Sequence, residues 1–412
     1  MPLPDLLYSI QELPTVRELY LTVIPSENFV CQNECQGHGL TVADYERQTV
    51  SMLQEIQTVL KNEGFEKFGG MQTVFLDDPG QKQLVRKIMA DFYETVPATT
   101  YVRQKPCEDR AIAIELIAIA PRRKDSKYFK CSGYSDKVSF VEHDDLQWLF
   151  LGDIVPDELP IGSYARSGSA LEKLEEQLKS NNFQVDQLVR TWLYQGHLVL
   201  PEGDTQRYKE LNRARTDFFA GRNFLSQILP KDYNGPTVYP ASTGIGADDV
   251  DLVVSALAFA TTRTDIVTVP LENPQQTSAF DYGAVYSPQS PKFARAMGMH
   301  LGDSLKIFVS GTAGITDSES RFEDDPVAQT ELTLDNIAAL ISGENLSKHG
   351  IEGFTPTLNN LAIARVYVKR VEDFEKIRDV CLKRCPNTAM LFTIADVCRP
   401  ELLVEIEGIA LQ

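Results

Sequence analysis

The sequence predicts an α/β fold of the α+β kind, made of three tandem copies of one small unit with helices on one face of each sheet. Two observations carry this prediction. The order helix, strand, helix, strand recurs three times at matched spacing, and such self-similarity marks a repeat architecture. Within each copy, apolar residues recur at helix spacing in the helical stretches, and the strand stretches are β-branched and aromatic.

In the first copy, Leu53, Ile56 and Leu60 mark one face of an amphipathic helix. A strand follows over 71–76, a second helix over 81–93, and an apolar closing strand over 113–119. In the second copy, Leu171, Leu174 and Leu178 mark the helix, 189–194 the strand, 208–219 the second helix and 250–258 the closing strand. In the third, Leu334, Ile337 and Ile341 mark the helix, 362–368 the strand, 371–385 the second helix and 403–409 the closing strand. Short strand candidates at 18–23, 148–151 and 305–309 precede the three copies. The first and last closing strands each place a glutamate among aliphatic residues.

A sheet with helices on one face leaves its other face bare, and that face cannot stay in water. Three units packing their bare faces around a pseudo-threefold axis give a single-chain pseudo-trimer with clefts between units, where ligand sites are common. The expected divisions are 1–130, 131–285 and 286–412, with irregular Pro-, Ser- and Gly-rich connections near 156–169 and 272–291.

Composition narrows the function. Forty-three per cent hydrophobic residues support sizeable cores, and a net charge of −18 without a basic run excludes a general nucleic-acid binder. An anionic substrate would need specific arginines, because the overall field repels it. No apolar run approaches the length of a membrane helix, and the first residues lack a secretion pattern. Seven cysteines, an odd number scattered along a long chain, argue against a disulfide framework. A reduced, cytoplasmic protein is expected.

Cys31, Cys35 and His38 are of metal-ligand type but lack the usual spacing and a convincing fourth ligand, so no metal is expected. Cys381 and Cys385, one helical turn apart, read as packing. Gly244 and Gly246 are too close together for a dinucleotide loop.

The strand end Val404-Glu405-Ile406-Glu407-Gly408-Ile409-Ala410 resembles the C-terminal signature of the Rid/YjgF superfamily, whose chorismate mutase-like α/β subunits form trimers with sites between subunits. From about residue 189 onward the chain resembles the chorismatases, a branch of that superfamily. An ordered series carries the resemblance: 189–194, Arg207-Tyr208, 212–215, 239–246, 272–276, 286–288, 291–295, 308–313 and 395–399 leading into Glu405. The resemblance implies cleavage of chorismate with release of pyruvate, without metal or organic cofactor. The superfamily's imine deaminases carry an arginine shortly after the proline before the last strands. Here Asn387-Thr388-Ala389 follows Pro386, and Ala98-Thr99-Thr100 follows Pro97, which weighs against a deaminase.

Cleaving an enol ether by protonation needs an acid near its terminal methylene. A carboxyl does this at neutral pH only in an apolar setting that raises its pKa. Glu405, between Val404 and Ile406, is the expected donor. Glu407 lies on the same face as a supporting residue, and Glu115 has a similar setting in the first copy that could mark a second cleft. The substrate's two carboxylates call for guanidinium partners, and the candidates are Arg215, Arg295 and Arg399. The resemblance adds Tyr208, Gln276, Tyr282, Gly311 and Thr312 to the pocket, with Lys292 as a weaker choice. It also implies the 3-hydroxybenzoate-forming subgroup, through Gly311, Gln276 and Cys398, with Cys398 assisting ring opening or proton transfer. The alternatives are the hydrolytic subgroup, which makes a dihydroxycyclohexadiene carboxylate, a Rid-type deaminase, and a non-catalytic metabolite-binding module. The expected partner is a small molecule, with no nucleic acid or membrane involved, in a monomer or small homo-oligomer.

Overall fold

The computed structural model describes residues 5–26, 41–107, 110–123, 129–159, 161–248, 251–283 and 289–412. The Cys31–Cys35–His38 group and the 286–288 stretch lie outside them. The described chain forms three large sheets, one per copy. Across the first run the strands Leu6–Glu12, Val16–Val23, Ile112–Pro121, Gly69–Leu76 and Ala98–Arg103. Across the second run Lys130–Ser135, Val138–His143, Leu146–Ile154, Leu252–Thr261, Leu188–Gly196 and Ala241–Ala247. Across the third run Ile266–Leu271, Ala296–Leu301, Ser304–Ala313, Val404–Leu411, Leu361–Val368 and Ala389–Ile394.

The helices Val42–Asn62 and Lys82–Phe92 belong to the first copy, Ser163–Ser180 and Arg207–Phe219 to the second, and Pro326–Ile341 and Phe374–Arg384 to the third. Thr41 caps the first helix in a capping box with Asp44, and Asp325 caps the fifth ahead of Pro326. The apolar faces read from the sequence are buried: Leu53, Ile56 and Leu60 in one core, Leu334, Ile337 and Ile341 in another.

Two features differ from the expectation. Each unit has a strand after its second helix, parallel to the central strand: Ala98–Arg103, Ala241–Ala247 and Ala389–Ile394. The 241–247 stretch is small and glycine-bearing, so its β propensity is low. It is a strand because the neighbouring central strand supplies the hydrogen bonds. The third sheet also begins at Ile266, ahead of the expected division at 286, because Ile266–Leu271 pairs antiparallel with Ala296–Leu301. The irregular 272–291 stretch is therefore an excursion within the third sheet.

The sheets share one interior. A single apolar cluster joins Tyr20, Met71 and Ile117 of the first sheet to Trp148, Trp192 and Leu257 of the second and Phe308, Tyr367 and Ile409 of the third. Strand registers relate the three units position by position. Thr73, Trp192 and Arg365 are equivalent on the central strands, facing Glu115, Ser255 and Glu407 on the closing strands. Four residues further along the closing strands, the partners are Glu18, Trp148 and Lys306. There Lys306 Nζ lies 2.7 Å from Glu18 Oε1 and 4.7 Å from the Trp148 ring centroid. Three equivalent positions thus hold an anion, a ring and a cation that satisfy one another, which three identical units could not do.

Candidate active site

A cavity of about 250 Å³ opens between the second and third units. The second unit contributes Tyr208, Asn212, Ser242 and Gly244, and the third contributes Tyr282, Phe293, Arg295, Gly311, Cys398, Arg399 and Glu405.

A β-bulge makes the room. The register of Ser304–Ala313 against Val404–Leu411 slips between Val309 and Thr312, so Ser310 and Gly311 have no direct partner on the closing strand. Ser310 Oγ accepts from the Ser242 N–H (2.9 Å) and donates to the Ala294 carbonyl (2.6 Å), tying the bulge to the second unit. The Gly311 N–H donates to Thr243 Oγ1 at 3.0 Å. Any Cβ on residue 311 would overlap Glu405 Oε1, so only glycine leaves space for that carboxyl.

Glu405 is 5% exposed, and its carboxyl is pushed up to about 8. Burial is the main cause and the negative charge of Glu407 adds to it, while Arg190 and Arg295 pull the other way. Glu405 is therefore an acid that still holds its proton at neutral pH. Glu407 lies in the network on the pseudo-threefold axis and does not line the cavity. It accepts from Arg190 Nη2 (2.5 Å), Trp192 Nε1 (2.9 Å), Tyr367 OH (3.0 Å) and Thr243 Oγ1, and pairs with Arg365 Nη1 at 3.1 Å.

Two buried guanidiniums face the cleft region without a salt-bridge partner among the described residues. Arg295, 3% exposed, donates through Nη2 to Tyr282 OH (2.5 Å) and the Thr277 carbonyl (2.9 Å). Arg215, 1% exposed, donates to Ser242 Oγ (3.3 Å) and Asn212 Oδ1 (2.7 Å). Both lie about 5.6 to 5.7 Å from the Phe293 ring centroid. Among the described residues neither forms an ion pair, and the Nε of each lacks an acceptor. A buried cation without a counter-ion is costly and calls for an anion. Arg399 also lines the cavity, donating to the Ser318 carbonyl (2.9 Å), so Tyr282 lies between the guanidiniums of Arg295 and Arg399 at 5.5 and 5.3 Å.

Cys398 lines the same wall. Its thiol is pushed up to about 12, chiefly by burial and then by Glu405, so it stays protonated. The Gly246 N–H donates to the Asp396 carbonyl (2.9 Å), holding the Cys398 segment against the second unit, and a Cβ at 246 would overlap that carbonyl. The Tyr208 ring packs over Gly244.

Four expected site residues do not line the cavity. Arg215 is bonded to Ser242 and Asn212, which do. Gln276 donates to the carbonyl of Ile315, a wall residue, at 3.0 Å, and Thr312 Oγ1 donates to the Ser310 carbonyl at 3.0 Å. Lys292 donates to Ser290 Oγ (3.0 Å) outside the lining. Glu115 lies in the same buried network as Glu407 and not at the counterpart of the Glu405 position. It is gripped by Arg365 through Nε (2.7 Å) and Nη2 (2.5 Å), and its register equivalent is Glu407, not Glu405.

The residues equivalent to Glu405 are Ala113 and Val253, two positions before Glu115 and Ser255. In the first unit the matching strand pair, Val16–Val23 with Ile112–Pro121, has no bulge at that point. The second unit has one, but Asp153 stands there in place of Gly311 and is paired with Lys82 at 2.7 Å. Among the described residues, one cleft combines bulge, glycine and acid.

The sequence reading missed Asn212, Ser242, Phe293, Arg190 and Arg365. For the two arginines the signal was present: each is a lone charge inside an apolar strand, the same signal that picked out Glu405. It also missed Glu272, whose Oε1 accepts the Arg295 N–H at 3.3 Å and whose carboxyl burial pushes up to about 7.

The fold and site define a class: single-chain pseudo-trimeric α/β proteins with one buried carboxyl and an arginine cluster in a cleft between units. No family model matches the chain. Over 292 residues, 68% of this chain and 78% of the relative, it is 33% identical to a 3-hydroxybenzoate synthase of Streptomyces hygroscopicus. Over 248 residues it is 34% identical to a chorismatase of the same organism, covering 60% of this chain and 68% of the relative. A chorismatase crystal structure has the same fold, at a TM-score of 0.66 and 20% identity, over 97% of this chain and 100% of that one. The chain belongs to the chorismatase family.

Proposed function

We propose that this chain converts chorismate to pyruvate and 3-hydroxybenzoate, with Glu405 as the general acid. The observation that carries the reading is the buried Glu405 carboxyl, protonated at neutral pH, in a cleft near the buried Arg295 and Arg215, neither of which forms a salt bridge among the described residues. Chorismate is a dianion, and Arg295 and Arg399 on the wall, with Arg215 behind Ser242, supply the positive field it needs.

Glu405 donates its proton to the terminal methylene of the enol ether, forming the methyl group of pyruvate and an oxocarbenium centre. The neighbouring ring hydroxyl passes its proton to the Glu405 carboxylate as its oxygen displaces the ether oxygen and gives an epoxide, and pyruvate departs with both electrons of the broken carbon–oxygen bond. The epoxide opens as its oxygen takes up a proton and the ring loses one from carbon and becomes aromatic. The atoms of chorismate equal those of the two products, so no water is consumed. Tyr208 packs over Gly244, and the Glu405 carboxyl lies against Gly311 on the wall. Cys398, as a neutral thiol, acts in the ring-opening step through its S–H and not as a nucleophile. Gln276 and Thr312 act at one remove by holding Ile315 and the bulge.

We further propose that the three units at 5–121, 130–261 and 266–411 complete the trimer within one chain. The protein would then work as a monomer or small homo-oligomer in the cytoplasm on a small molecule and not on nucleic acid. No described helix is long and apolar enough to cross a membrane. The test is to incubate the purified protein with chorismate and separate the products by chromatography. Equimolar pyruvate and 3-hydroxybenzoate support the reading. A non-aromatic diene diol moves the chain to the hydrolytic subgroup, and tight binding without pyruvate makes it a binding module.

A further inference from the structure

Among the described residues the first unit contributes none to the lining of the cleft, yet it supplies Glu115 to the buried network behind the acid. We infer that Glu115 is a positioning residue for the chemistry: by engaging Arg365, it stops that cation from neutralising the carboxylate beside Glu405. The inference rests on the reading of Glu405 as the proton donor.

The geometry is that of two guanidiniums and two carboxylates in one buried layer. Arg365 turns its Nε and Nη2 edge to Glu115, at 2.7 and 2.5 Å, with Thr73 Oγ1 accepting from Nη2 at 2.9 Å. Only Nη1 remains for Glu407, at 3.1 Å, and it is shared with Tyr194 OH. Arg190 reaches the other oxygen of Glu407. The layer is neutral as it stands. Without Glu115 it would hold two cations against one anion, and in a dry interior that surplus acts over several ångströms.

Glu405 faces Glu407 on its own strand, Arg190 and Tyr208 from the second unit, and Tyr367 on the adjacent strand. Arg295, Cys398, Arg399 and Glu401 complete its charged and titratable surroundings. Neither Glu115 nor Arg365 lines the cavity, so their influence on Glu405 passes through Glu407. The equivalent position in the second unit is Ser255, which carries no charge. The first unit thus adds a second carboxylate to the one that the third unit places at the equivalent position, Glu407.

The test is the pH profile of kcat/KM for chorismate, together with the infrared band of the protonated Glu405 carboxyl, assigned by its loss in Glu405→Gln. In Glu115→Gln the surplus cation favours the ionised acid, so the alkaline limb and the band's titration both move down by about half a unit or more. In Arg365→Gln the surplus anion moves both up. The double variant Glu115→Gln/Arg365→Gln returns both toward the wild-type position, and Thr73→Val, which removes a partner of Arg365 but no charge, leaves them in place. If all variants that fold keep the wild-type limb and band and lose only stability or kcat uniformly, Glu115 is merely structural and the inference fails. If the wild-type band itself titrates in the ordinary carboxyl range, the reading of Glu405 fails instead, and the two failures are told apart. Should neither single variant fold, Glu115→Asp, whose shorter side chain loosens the grip on Arg365, takes their place: a limb and band moved down support the inference, and unmoved ones overturn it.

Discussion

Glu405 Oε1 occupies the space that a Cβ on residue 311 would need. The acid and the bulge that receives it are thus one device. The bulge removes a ladder partner, glycine removes the side chain, and the carboxyl fills the gap against an apolar wall that keeps its proton on.

Gly311→Ala therefore displaces the carboxyl. We expect kcat/KM for chorismate to fall by about 100-fold, the scale of a misplacement of about 1 Å, with the fold intact by circular dichroism. Unchanged turnover would mean that Glu405 does not act from its present rotamer.

Glu405→Gln keeps the shape and removes the transferable proton. Loss of general acid catalysis is worth about 10²- to 10⁴-fold in kcat, and chorismate affinity by calorimetry should change little. In the wild type the active form is the protonated one, so activity is present below the raised value and is lost as pH climbs through about 8. A profile that instead falls toward acid would identify Glu405 as a base.

Arg295→Met removes a buried guanidinium that forms no salt bridge among the described residues. Hydrogen bonds to charged groups contribute about 1.5–3 kcal/mol, so KM should rise by about 10- to 100-fold. Arg295→Lys should rescue little, because one ammonium cannot hold Tyr282, the Thr277 carbonyl and a carboxylate together. An unaltered KM in both would remove Arg295 from substrate binding.

Cys398 should resist alkylation by iodoacetamide at pH 7 to 8, since its thiol is pushed up to about 12 and only the thiolate attacks. Cys398→Ala should nonetheless change the ratio of aromatic to non-aromatic product, read by chromatography. Fast labelling, or an unchanged ratio at an unchanged rate, would exclude the proposed part in ring opening.

Glu18→Gln breaks the buried pair with Lys306, and losing one partner of such a pair costs about 3–5 kcal/mol, visible as a lower urea midpoint. Burial alone would raise the Glu18 carboxyl, but Lys306, Tyr20 and His143 outweigh it and hold it below the usual range. Its stabilisation is therefore present above the ordinary glutamate pKa and is lost as pH falls through the lowered folded value. The gap between wild type and variant should narrow in acid.

Periodicity alone made most of the architecture legible. Helix faces such as Leu53, Ile56 and Leu60 and closing strands such as 404–411 announce themselves because one face must be buried. The parallel strand Ala241–Ala247 did not, because its small residues earn their strand state from a neighbour's hydrogen bonds and not from their own propensity. Glu405 was legible as a charge in an apolar strand, and the structure buries it on the wall of the cleft. The same reasoning misplaced Glu115, because the register that makes it equivalent to Glu407 is set by pairing with Gly69–Leu76, a contact remote in sequence.

The sequence by itself determined the three-unit plan and singled out Glu405 and the arginines that the structure gathers near the cleft, since burial patterns and residue chemistry are local properties. The tertiary structure decided which cleft is formed. It placed a bulge and a glycine opposite Glu405 but not Ala113 or Val253, filled the equivalent position beside Asp153 with Lys82, and set unlike residues against one another on the pseudo-threefold axis. Those outcomes depend on pairing register and on contacts between units, which exist only once the chain has closed on itself.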